Sequence, residues 1–374
     1  MYVQWNGVKS STKDLFNVSC IQGSCLGPGI FNTYVRDYEY VIKDKCGDCD
    51  CPGDQNCGGK NCDEITSDGV FFADDSLIIV ACANIEKLMR KGNIILDNTS
   101  KYMNANHLIL NQKKSQYLLF KPKKKQSTIA KTKLMINNQE ILEVTNARYL
   151  GVILDNKLNF QEHFKMVKSK LIEGVRALRC TRATLNYHAK KLLYEGCFKS
   201  HAEYCAITYM DKLNKKQQNE LYTLQKQAIR LVFDARKNVH TEKLFKLANI
   251  LPLTKLYESE CTKLVFKNKS DPSANKQPIA IKELLIKETQ DSSRIYDDLY
   301  KIKIPSSYKY EHCMYQIINK YNNSNLESKM CGNLWSLKQK IKEDCLKSLR
   351  KCEINNCNIC LLDNWRNYEK YMSK

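Results

Sequence analysis

The sequence predicts an α+β protein, with a front of 160 residues that mixes short antiparallel strands with helices and a mostly helical remainder. Two observations lead to this prediction. Up to residue 159, short apolar runs are separated by turn signals such as Asn6-Gly7, which are typical of hairpins. Beyond that point apolar residues recur at helical spacing, for example Leu171, Val175 and Leu178.

The elements of the front follow from local signals in chain order. A helix is predicted after Pro28, and residues 44–68 form a loop rich in Gly, Asp and Cys. The run VFFADDSLIIV (70–80) predicts a strand, a tight turn flanked by Phe72 and Asp75, and a second strand. The later predicted elements are a helix at 84–105, strands at 107–111 and 115–120, a hairpin centred on Asn137-Asn138 and a strand at 147–155.

The helical remainder divides into two regions. A second apolar face is predicted from four residues at helical spacing: Leu192, Leu193, Cys197 and Tyr204. Thr241 is a candidate N-cap for the helix that follows it. The polar stretch 267–278 resembles a linker, so we expect one helical region at 161–270 and a basic, mostly helical tail at 271–374.

Several classes of protein are disfavoured by the composition. No apolar run approaches the ~18 residues that a membrane span needs, and MYVQWNGVKSSTK lacks the apolar core of a signal peptide. We therefore expect a soluble protein of the nucleus or cytoplasm without a membrane partner. In that setting the 18 cysteines are expected to be thiols, some of which bind metal, rather than disulfides.

Charge is distributed unevenly along the chain. Residues 1–122 carry 13 Lys and Arg against 14 Asp and Glu, whereas residues 123–374 carry 47 against 26. A strongly basic region favours a polyanionic partner, and nucleic acid is favoured over a membrane surface. The alternative is that these lysines and arginines only keep the outer faces of helices solvated.

Two adjacent carboxylates, Asp74 and Asp75, interrupt the apolar run 70–80. Burying one unpaired carboxylate is costly, and burying two side by side is worse because they also repel each other. Either this pair lies at an exposed loop tip with no further role, or it serves a function that requires two neighbouring carboxylates.

Four segments in a fixed order favour the functional alternative: QGSCLGPGIFNTYV (22–35), FADD (72–75), NQKKSQYLLF (111–120) and RYLGVILDNKLNFQEHF (148–164). Together they resemble the reverse transcriptases of non-LTR, jockey-like retrotransposons, from motif B to the start of the thumb. The resemblance implies that residues 1–160 are a partial polymerase palm with a Cys-rich insertion at 44–68. It also implies that residues 161–270 are thumb-like, while the tail after 275 carries no resemblance.

The resemblance implies an RNA-directed DNA polymerase that transfers nucleotides to a primer 3′-hydroxyl. Asp74 and Asp75 would bind Mg²⁺, or Mn²⁺ in its place, with Asp74 as the stricter ligand. Carboxylates suit these hard cations, and two ions about 3.5–4 Å apart would serve both reacting oxygens. Phe71, Phe72 and residues 77–80 would anchor the hairpin. The implied partners are an RNA template, a DNA primer and deoxynucleoside triphosphates.

Other residues acquire roles from the same resemblance. The motif that contacts the templating base and the incoming nucleotide matches Gln22, Gly23 and Ser24, which otherwise form an ordinary turn before a helix. Lys114 matches the motif D lysine that is proposed to protonate the leaving pyrophosphate. Its alternatives are a solvated surface lysine, or Lys113 in its place. The segment YLGV (149–152) matches the primer-grip hairpin.

The chain also departs from this family. Motif A supplies an essential metal-binding Asp and precedes motif B, yet motif B here already begins at Gln22. A two-metal site without that carboxylate should bind metal weakly, so we expect the chain alone to be inactive or nearly so, as a truncated element copy would be. Within motif B, residues 19–21 (SCI) replace Gly-x-Pro, and Gly29 stands where a bulky apolar residue is common.

Two cysteine clusters are candidate zinc sites. The segment CGDCDCPGDQNCGGKNC offers four thiolates for tetrahedral zinc: Cys46, Cys49, Cys57 and Cys62. Cys51 lies too close to Cys49 for ordinary knuckle geometry. A second set stands in the tail and comprises Cys345, Cys352, Cys357 and Cys360. The alternatives are a surface insertion without metal at the first cluster and free thiols at the second.

Basic side chains after the palm are candidates to contact the phosphates of an RNA–DNA hybrid. They are the segment KPKKK (121–125) together with Lys165, Lys168, Arg176, Arg179, Arg182, Lys190 and Lys191. Two other hypotheses remain open at this point. The chain is a non-catalytic nucleic-acid-binding remnant, with or without zinc, or the incomplete palm does not fold stably.

Overall fold

The structure, a computed structural model, describes residues 4–5, 8–9, 25–43, 65–121, 133–237, 239–270, 285–287, 300–302, 313–324 and 331–349. It combines helices with small two-stranded sheets and is compatible with the predicted α+β class. The chain divides into two compact units, residues 1–158 and 159–374. Within the described ranges, no helix combines the length and the apolar character needed to cross a bilayer.

The first unit contains three helices and ten short strands among its described residues. In chain order these are β1 (Gln4–Trp5), β2 (Val8–Lys9), α1 (Gly27–Tyr34), α2 (Tyr38–Lys43), β3 (Ile65–Phe72), β4 (Asp75–Cys82), α3 (Ile85–Ala105), β5 (Gln116–Tyr117), β6 (Met135–Ile136), β7 (Gln139–Glu140), β8 (Leu142–Glu143), β9 (Asn146–Tyr149) and β10 (Val152–Asp155). Strands β5 and β8 pair in parallel, and the other four pairs are antiparallel hairpins.

The core of the first unit lies between the β3–β4 hairpin and the helices α2 and α3. Tyr38, Ile42 and Ile95 are buried there, and Phe71 and Ile78 of the hairpin pack against them. This arrangement follows from the period of two along a strand, which sends alternate side chains to opposite faces.

Local signals account for several of these elements. The strands predicted on either side of residues 6–7 are confirmed, because Trp5 pairs with Val8, while residues 6–7 themselves lie outside the described ranges. Asn137 and Asn138 adopt positive φ angles of 48° and 64° between β6 and β7, as the primed turn of a two-residue hairpin requires. Helix α3 begins as predicted, since the Asn84 side chain accepts hydrogen bonds from the amides of Glu86 and Lys87.

Three predictions for the first unit were wrong in detail. The helix predicted after Pro28 is two helices, α1 and α2, separated by a turn at residues 35–37. Residues 107–111 form no strand, and Ile109 is almost fully exposed, because the alternating pattern there has no neighbouring strand to pair with. The single strand predicted at 147–155 is the β9–β10 hairpin, which turns at Leu150 and Gly151 with φ angles of 44° and 81°.

The second unit is mostly helical. Its elements are α4 (Gln161–Cys180), α5 (Tyr187–Tyr194), a π-helical turn (Glu195–Lys199), α6 (Ser200–Glu203), α7 (Ala206–Tyr209), α8 (Lys215–Val232), α9 (Thr241–Ala248), α10 (Leu253–Ser270), β11 (Leu285–Lys287), β12 (Tyr300–Ile302), α11 (Cys313–Asn322) and α12 (Leu334–Ser348). Its core contains Leu171, Val175 and Leu178, whose burial on α4 confirms the predicted apolar face.

The second predicted apolar face was wrong for two of its four residues, since only Leu193 and Cys197 are half-buried. Leu192 and Tyr204 are exposed, whereas Tyr194 and Phe198 are buried and their rings stack 5.3 Å apart. The buried residues Tyr194, Phe198 and Ala202 instead recur every four positions through the π-helical turn at 195–199. Tyr204 follows the end of α6, where its ψ angle of 119° is no longer helical. Helical spacing alone therefore selects the wrong residues on both sides of this turn.

The tail packs onto the helical region. Phe266 of α10 is buried against Leu337 and Ile341 of α12, and the second unit accordingly includes residues 271–374. The predicted linker begins inside α10, which continues to Ser270, and residues 271–284 lie outside the described ranges. Thr241 is the first residue of α9 rather than its N-cap, which is His240.

Candidate active site at the Asp74–Asp75 turn

The β3–β4 hairpin presents both carboxylates at its tip. Its strands pair in continuous register from Ile65 opposite Cys82 to Phe72 opposite Asp75, which leaves Ala73 and Asp74 as a two-residue turn. The predicted strand, turn and strand are therefore confirmed. Because the tip is exposed, the two carboxylates are not buried in the apolar run that surrounds them in sequence.

The predicted anchors of the hairpin are only partly correct. Phe71, Ile78 and Val80 pack toward the core of the first unit. Phe72 and Ile79 face the other way and are 65% and 49% exposed. The strand period of two makes this division unavoidable, since consecutive residues cannot share a face. Asp75 lies on the exposed face, opposite Phe72.

The turn itself is strained. Ala73 has a φ of 52°, in the left-handed region, which costs a residue with a side chain roughly 1–2 kcal/mol. Backbone strain of this kind persists only where the surrounding structure imposes it, and it clusters at functional sites. Here the pairing of β3 with β4 imposes a sharp reversal directly beside Asp74.

Neither carboxylate has a structural role in the described part of the chain. The side chains of Asp74 and Asp75 form no hydrogen bond or ion pair with any of its residues. Two adjacent carboxylates without a counter-charge repel each other, which is unfavourable unless a cation compensates. Their oxygens are thus available to a ligand from solvent.

The β9–β10 hairpin contacts the β3–β4 hairpin near this tip. The Tyr149 hydroxyl donates a hydrogen bond to the Val70 carbonyl at 3.1 Å. Burial raises the pKa of Tyr149, and the charge of Asp75 raises it further. The structure thereby brings together the FADD and YLGV segments, which are separated by more than 70 residues in the sequence.

The proximity of Asp75 to Tyr149 predicts that the pKa of Tyr149 depends on the charge of Asp75. We expect Asp75→Asn to lower the pKa of the Tyr149 phenol, because removing the carboxylate removes its repulsion of the phenolate. NMR measures this pKa, by following the tyrosine ring carbon resonances between pH 8 and 12. The variant Tyr149→Phe assigns the Tyr149 signal. Asp97→Asn is the control, since Asp97 lies on α3 in an exposed ion pair with Lys101. An unchanged Tyr149 pKa in Asp75→Asn would contradict the proximity.

Lys114 makes no hydrogen bond or ion pair with either carboxylate. It ends a short 3₁₀ turn (Gln112–Lys114) in which the Asn111 side chain accepts a hydrogen bond from its amide. Its ammonium group is exposed and forms no ion pair with any residue that the structure describes, and Lys113 is exposed as well. The geometry does not select one of these two lysines over the other.

The remaining sequence-predicted site residues fall outside the described ranges. They are the template-contacting candidates Gln22, Gly23 and Ser24, the zinc candidates Cys46, Cys49, Cys57 and Cys62, and the tail cysteines Cys352, Cys357 and Cys360. Of KPKKK only Lys121 is described, and among the tail cysteines only Cys345, which is half-buried.

The donor set at the tip fits a divalent cation only in part. Carboxylate oxygens are the ligands that Mg²⁺ and Mn²⁺ prefer, and Mg²⁺ commonly binds one or two of them together with substrate phosphates. Within the described ranges, however, no three His, Cys, Asp or Glu side chains lie close enough to hold a metal. Asp74 and Asp75 therefore provide an incomplete site, to which substrate and another carboxylate would have to contribute.

The candidate phosphate contacts differ in whether an acidic side chain already pairs with them. Lys165 pairs with Glu162 and Lys168 with Glu220. Lys190 is wrong as a phosphate contact, because its side chain is 2% exposed and its ammonium donates to Asp234 at 2.7 Å. Three candidates remain that pair with no described residue: Arg176, Arg179 and Lys191.

The sequence did not indicate the roles of two residues, Tyr149 and Asp234. The hydroxyl of Tyr149 fastens the two hairpins, and no local signal identifies Val70 as its acceptor. Asp234 neutralises Lys190 and also accepts from Arg182 at 3.2 Å, although it follows Lys190 by 44 residues. Both require knowledge of which segments meet in the fold.

No family profile, no curated protein and no solved structure matches this chain. The functional assignment accordingly depends on the residues of the hairpin tip and on their surroundings.

Proposed function

We propose that residues 1–160 are the part of a reverse transcriptase palm that runs from motif B onward, followed by a thumb-like helical region. The parent enzyme would be an RNA-directed DNA polymerase of a non-LTR retrotransposon. The observation that carries the proposal is the exposed pair Asp74 and Asp75 at the strained tip of the β3–β4 hairpin, with Tyr149 of the β9–β10 hairpin beside it.

Each residue then has a defined task. Asp74 and Asp75 would hold divalent cations, and the chemistry that such cations would supply is charge stabilisation at the primer 3′-hydroxyl and at the leaving pyrophosphate. Asp74 and Asp75 supply oxygen ligands from a rigid hairpin, whose inward face is fixed by Phe71 and Ile78. Tyr149 holds the β9–β10 hairpin against β3, where a primer terminus would be positioned. Lys114 would protonate the pyrophosphate, and residues 22–24 would contact the template and the nucleotide.

Metal binding at the tip tests this proposal. We expect Mn²⁺, which is paramagnetic, to broaden the backbone amide NMR signals of residues 73–76 and of Tyr149 before any others. The double variant Asp74→Asn/Asp75→Asn should abolish this broadening, because neutral amides replace the charged ligands. Asp97→Asn, which removes an exposed carboxylate on α3, should leave it unchanged. Equal broadening in the double variant would overturn the assignment of the site.

A primer-extension assay tests whether the metal site of this chain is complete enough for catalysis. With poly(rA)·oligo(dT), dTTP and Mg²⁺, we expect no extension above an Asp74→Ala control, because two carboxylates alone align the ions poorly. Extension that depends on Asp74 would mean that a further segment of this chain supplies the missing ligand.

The second candidate function is nucleic-acid binding without catalysis. It is favoured by Arg176 and Arg179, which are exposed on α4 and pair with no described residue. Each phosphate contact contributes a slope of roughly −0.7 to −0.9 in a plot of log affinity against log salt. The variant Arg176→Ala/Arg179→Ala should therefore flatten the slope for an RNA–DNA hybrid by about 1.4–1.8, whereas Lys165→Ala, a residue already paired with Glu162, should change it less.

A further inference from the structure

Trp335 on α12 leaves a large aromatic ring in solvent. Its side chain is 70% exposed, whereas Leu337 and Ile341 of the same helix are buried against Phe266 of α10. The contact that holds α12 in place therefore does not use the indole ring. One exposed apolar side chain does not define a site, so the residues that share its face of the helix decide what the ring can bind.

The residues beside Trp335 on this face are polar or basic. Lys338, Gln339 and Lys342 follow it by three, four and seven positions, a spacing that places all four side chains on one side of a helix. Lys338 is exposed and Lys342 is half-buried. Neither lysine forms an ion pair with any residue that the structure describes. The face thus combines one aromatic ring with two positive charges that lack a counter-ion.

Two lysines of the preceding helical region lie near the same face. Partial burial lowers the pKa of Lys342, and the positive charges of Lys199 in the π-helical turn and of Lys191 on α5 lower it further. Glu195 and Glu203 oppose this effect. Glu203 compensates Lys199 only in part, since the two groups are 3.6 Å apart, longer than the 2.7–2.9 Å of a charge-assisted hydrogen bond. Together with Lys338 these residues form a basic cluster, which comprises Lys191, Lys199, Lys338 and Lys342.

Helix α12 is anchored at both of its ends. At the start, the Asn333 side chain accepts a hydrogen bond from the Ser336 amide at 2.8 Å. At the end, the Lys246 ammonium of α9 donates to the Leu349 carbonyl at 2.9 Å. The ring and the charges are therefore carried by an element that is fixed before any ligand arrives, which lowers the entropic cost of binding.

The chemistry of this face narrows the class of partner. A protein partner is disfavoured, because the central part of a protein interface is depleted of lysine, whereas Lys338 and Lys342 adjoin the ring. A membrane surface is disfavoured, because Leu337 and Ile341 are buried and α12 has no apolar face left to enter lipid. Single-stranded nucleic acid requires aromatic rings on which unpaired bases stack, and cations along the phosphates. A duplex fits less well, since its base faces are already stacked.

We propose that the Trp335 face of α12 binds single-stranded nucleic acid, with one unpaired base stacked on the indole ring and the flanking phosphates in contact with the basic cluster. The phosphates then offset the mutual repulsion of the four lysines. This site does not depend on the polymerase proposal. It also uses neither Arg176 nor Arg179 of α4, so hybrid binding through α4 and single-strand binding through α12 can each fail without the other.

Fluorescence anisotropy of labelled oligo(dT) and oligo(rU), titrated with the full-length chain, tests the proposal. Trp335→Leu should weaken the binding of both strands by about fivefold or more, because the base loses its stacking partner. Trp335→Phe keeps an aromatic ring and should retain most of the affinity. Tyr40→Leu removes a ring that is 77% exposed on α2 and should leave the affinity unchanged. An abasic strand of equal length should bind the wild type and Trp335→Leu equally.

The salt dependence of oligo(dT) binding tests the basic cluster. Each phosphate contact with a single strand contributes a slope of roughly −0.7 in a plot of log affinity against log salt. The variant Lys338→Ala/Lys342→Ala should therefore flatten the slope by about 1.4. Lys101→Ala, which removes an exposed lysine that is paired with Asp97 on α3, should not change it.

Four results would overturn the proposal. Two are equal affinity of the wild type and Trp335→Leu for oligo(dT), and an unchanged salt slope in the lysine double variant. A third is equal weakening of the abasic strand by Trp335→Leu, which would mean that the ring maintains the fold rather than stacks on a base. The fourth is tighter binding to vesicles of phosphatidylcholine and phosphatidylserine than to oligo(dT), with loss of that binding in Trp335→Leu, which would assign the face to a membrane surface.

Discussion

Replacing Asp234 by alanine is expected to lower the free energy of unfolding by about 3 kcal/mol. Lys190 is 2% exposed, and its ammonium donates to Asp234 at 2.7 Å. Removing the acid leaves a buried positive charge without its counter-ion, which is among the most destabilising single changes known. The value lies at the low end of the range for broken buried pairs, since the Asp234 side chain itself is 35% exposed.

Urea denaturation followed by circular dichroism measures this loss, and two variants control it. Lys190→Met should cost little or even stabilise, because it removes the buried charge and Asp234 keeps its pair with Arg182. Glu162→Ala breaks the exposed pair with Lys165 and should change stability by less than about 1 kcal/mol. If Asp234→Ala were as mild as Glu162→Ala, the buried pair would not stabilise the unit as described.

Gly174→Ala is expected to lower the free energy of unfolding by about 2 kcal/mol, although alanine is the better helix former by ~1 kcal/mol. A Cβ at this position of α4 would lie 2.6 Å from the Cys197 carbonyl oxygen. This atom belongs to the backbone of the π-helical turn, so it cannot rotate away, and overpacking of this kind costs roughly 1–3 kcal/mol or more. The two helical segments approach each other closely because residue 174 has no side chain.

Gly196→Ala is the matched control for this prediction. A Cβ there would meet no atom within 4 Å, so the substitution should be neutral or stabilise by up to ~1 kcal/mol. Thermal unfolding of the two variants in parallel gives the comparison. Equal melting temperatures for Gly174→Ala and the wild type would mean that α4 and the turn are farther apart than the structure has them.

Much of the site could be predicted because its determinants are local. Asp74 and Asp75 interrupt the apolar run at 70–80, which places them at a hairpin tip. A two-residue turn there makes Phe72 pair with Asp75. The same holds for Asn137-Asn138, whose tolerance of positive φ selects the turn. Nothing in the local pattern indicated that Phe72 and Ile79 would remain exposed, since that depends on what covers the other face.

The pattern of charges could not be predicted. Seven basic residues after the palm looked equivalent in sequence, yet Lys190 is buried and Lys168 is held by Glu220, while Arg176 and Arg179 are exposed. Helical spacing likewise placed Leu192 and Tyr204 on the inner face, whereas Tyr194, Phe198 and Ala202 are the buried residues there. Tyr204 follows the end of α6, and several apolar residues at helical spacing do not show where a helix ends or which of its faces is covered.

The sequence by itself determined most of the hairpins and helices of this protein and that two carboxylates stand at a turn, because these outcomes depend on interactions between residues a few positions apart. Only the tertiary structure decided that Tyr149 bonds to Val70, 79 residues away, and that Asp234 neutralises Lys190. Burial and charge pairing require groups from distant parts of the chain to meet, and no local pattern specifies which groups those are.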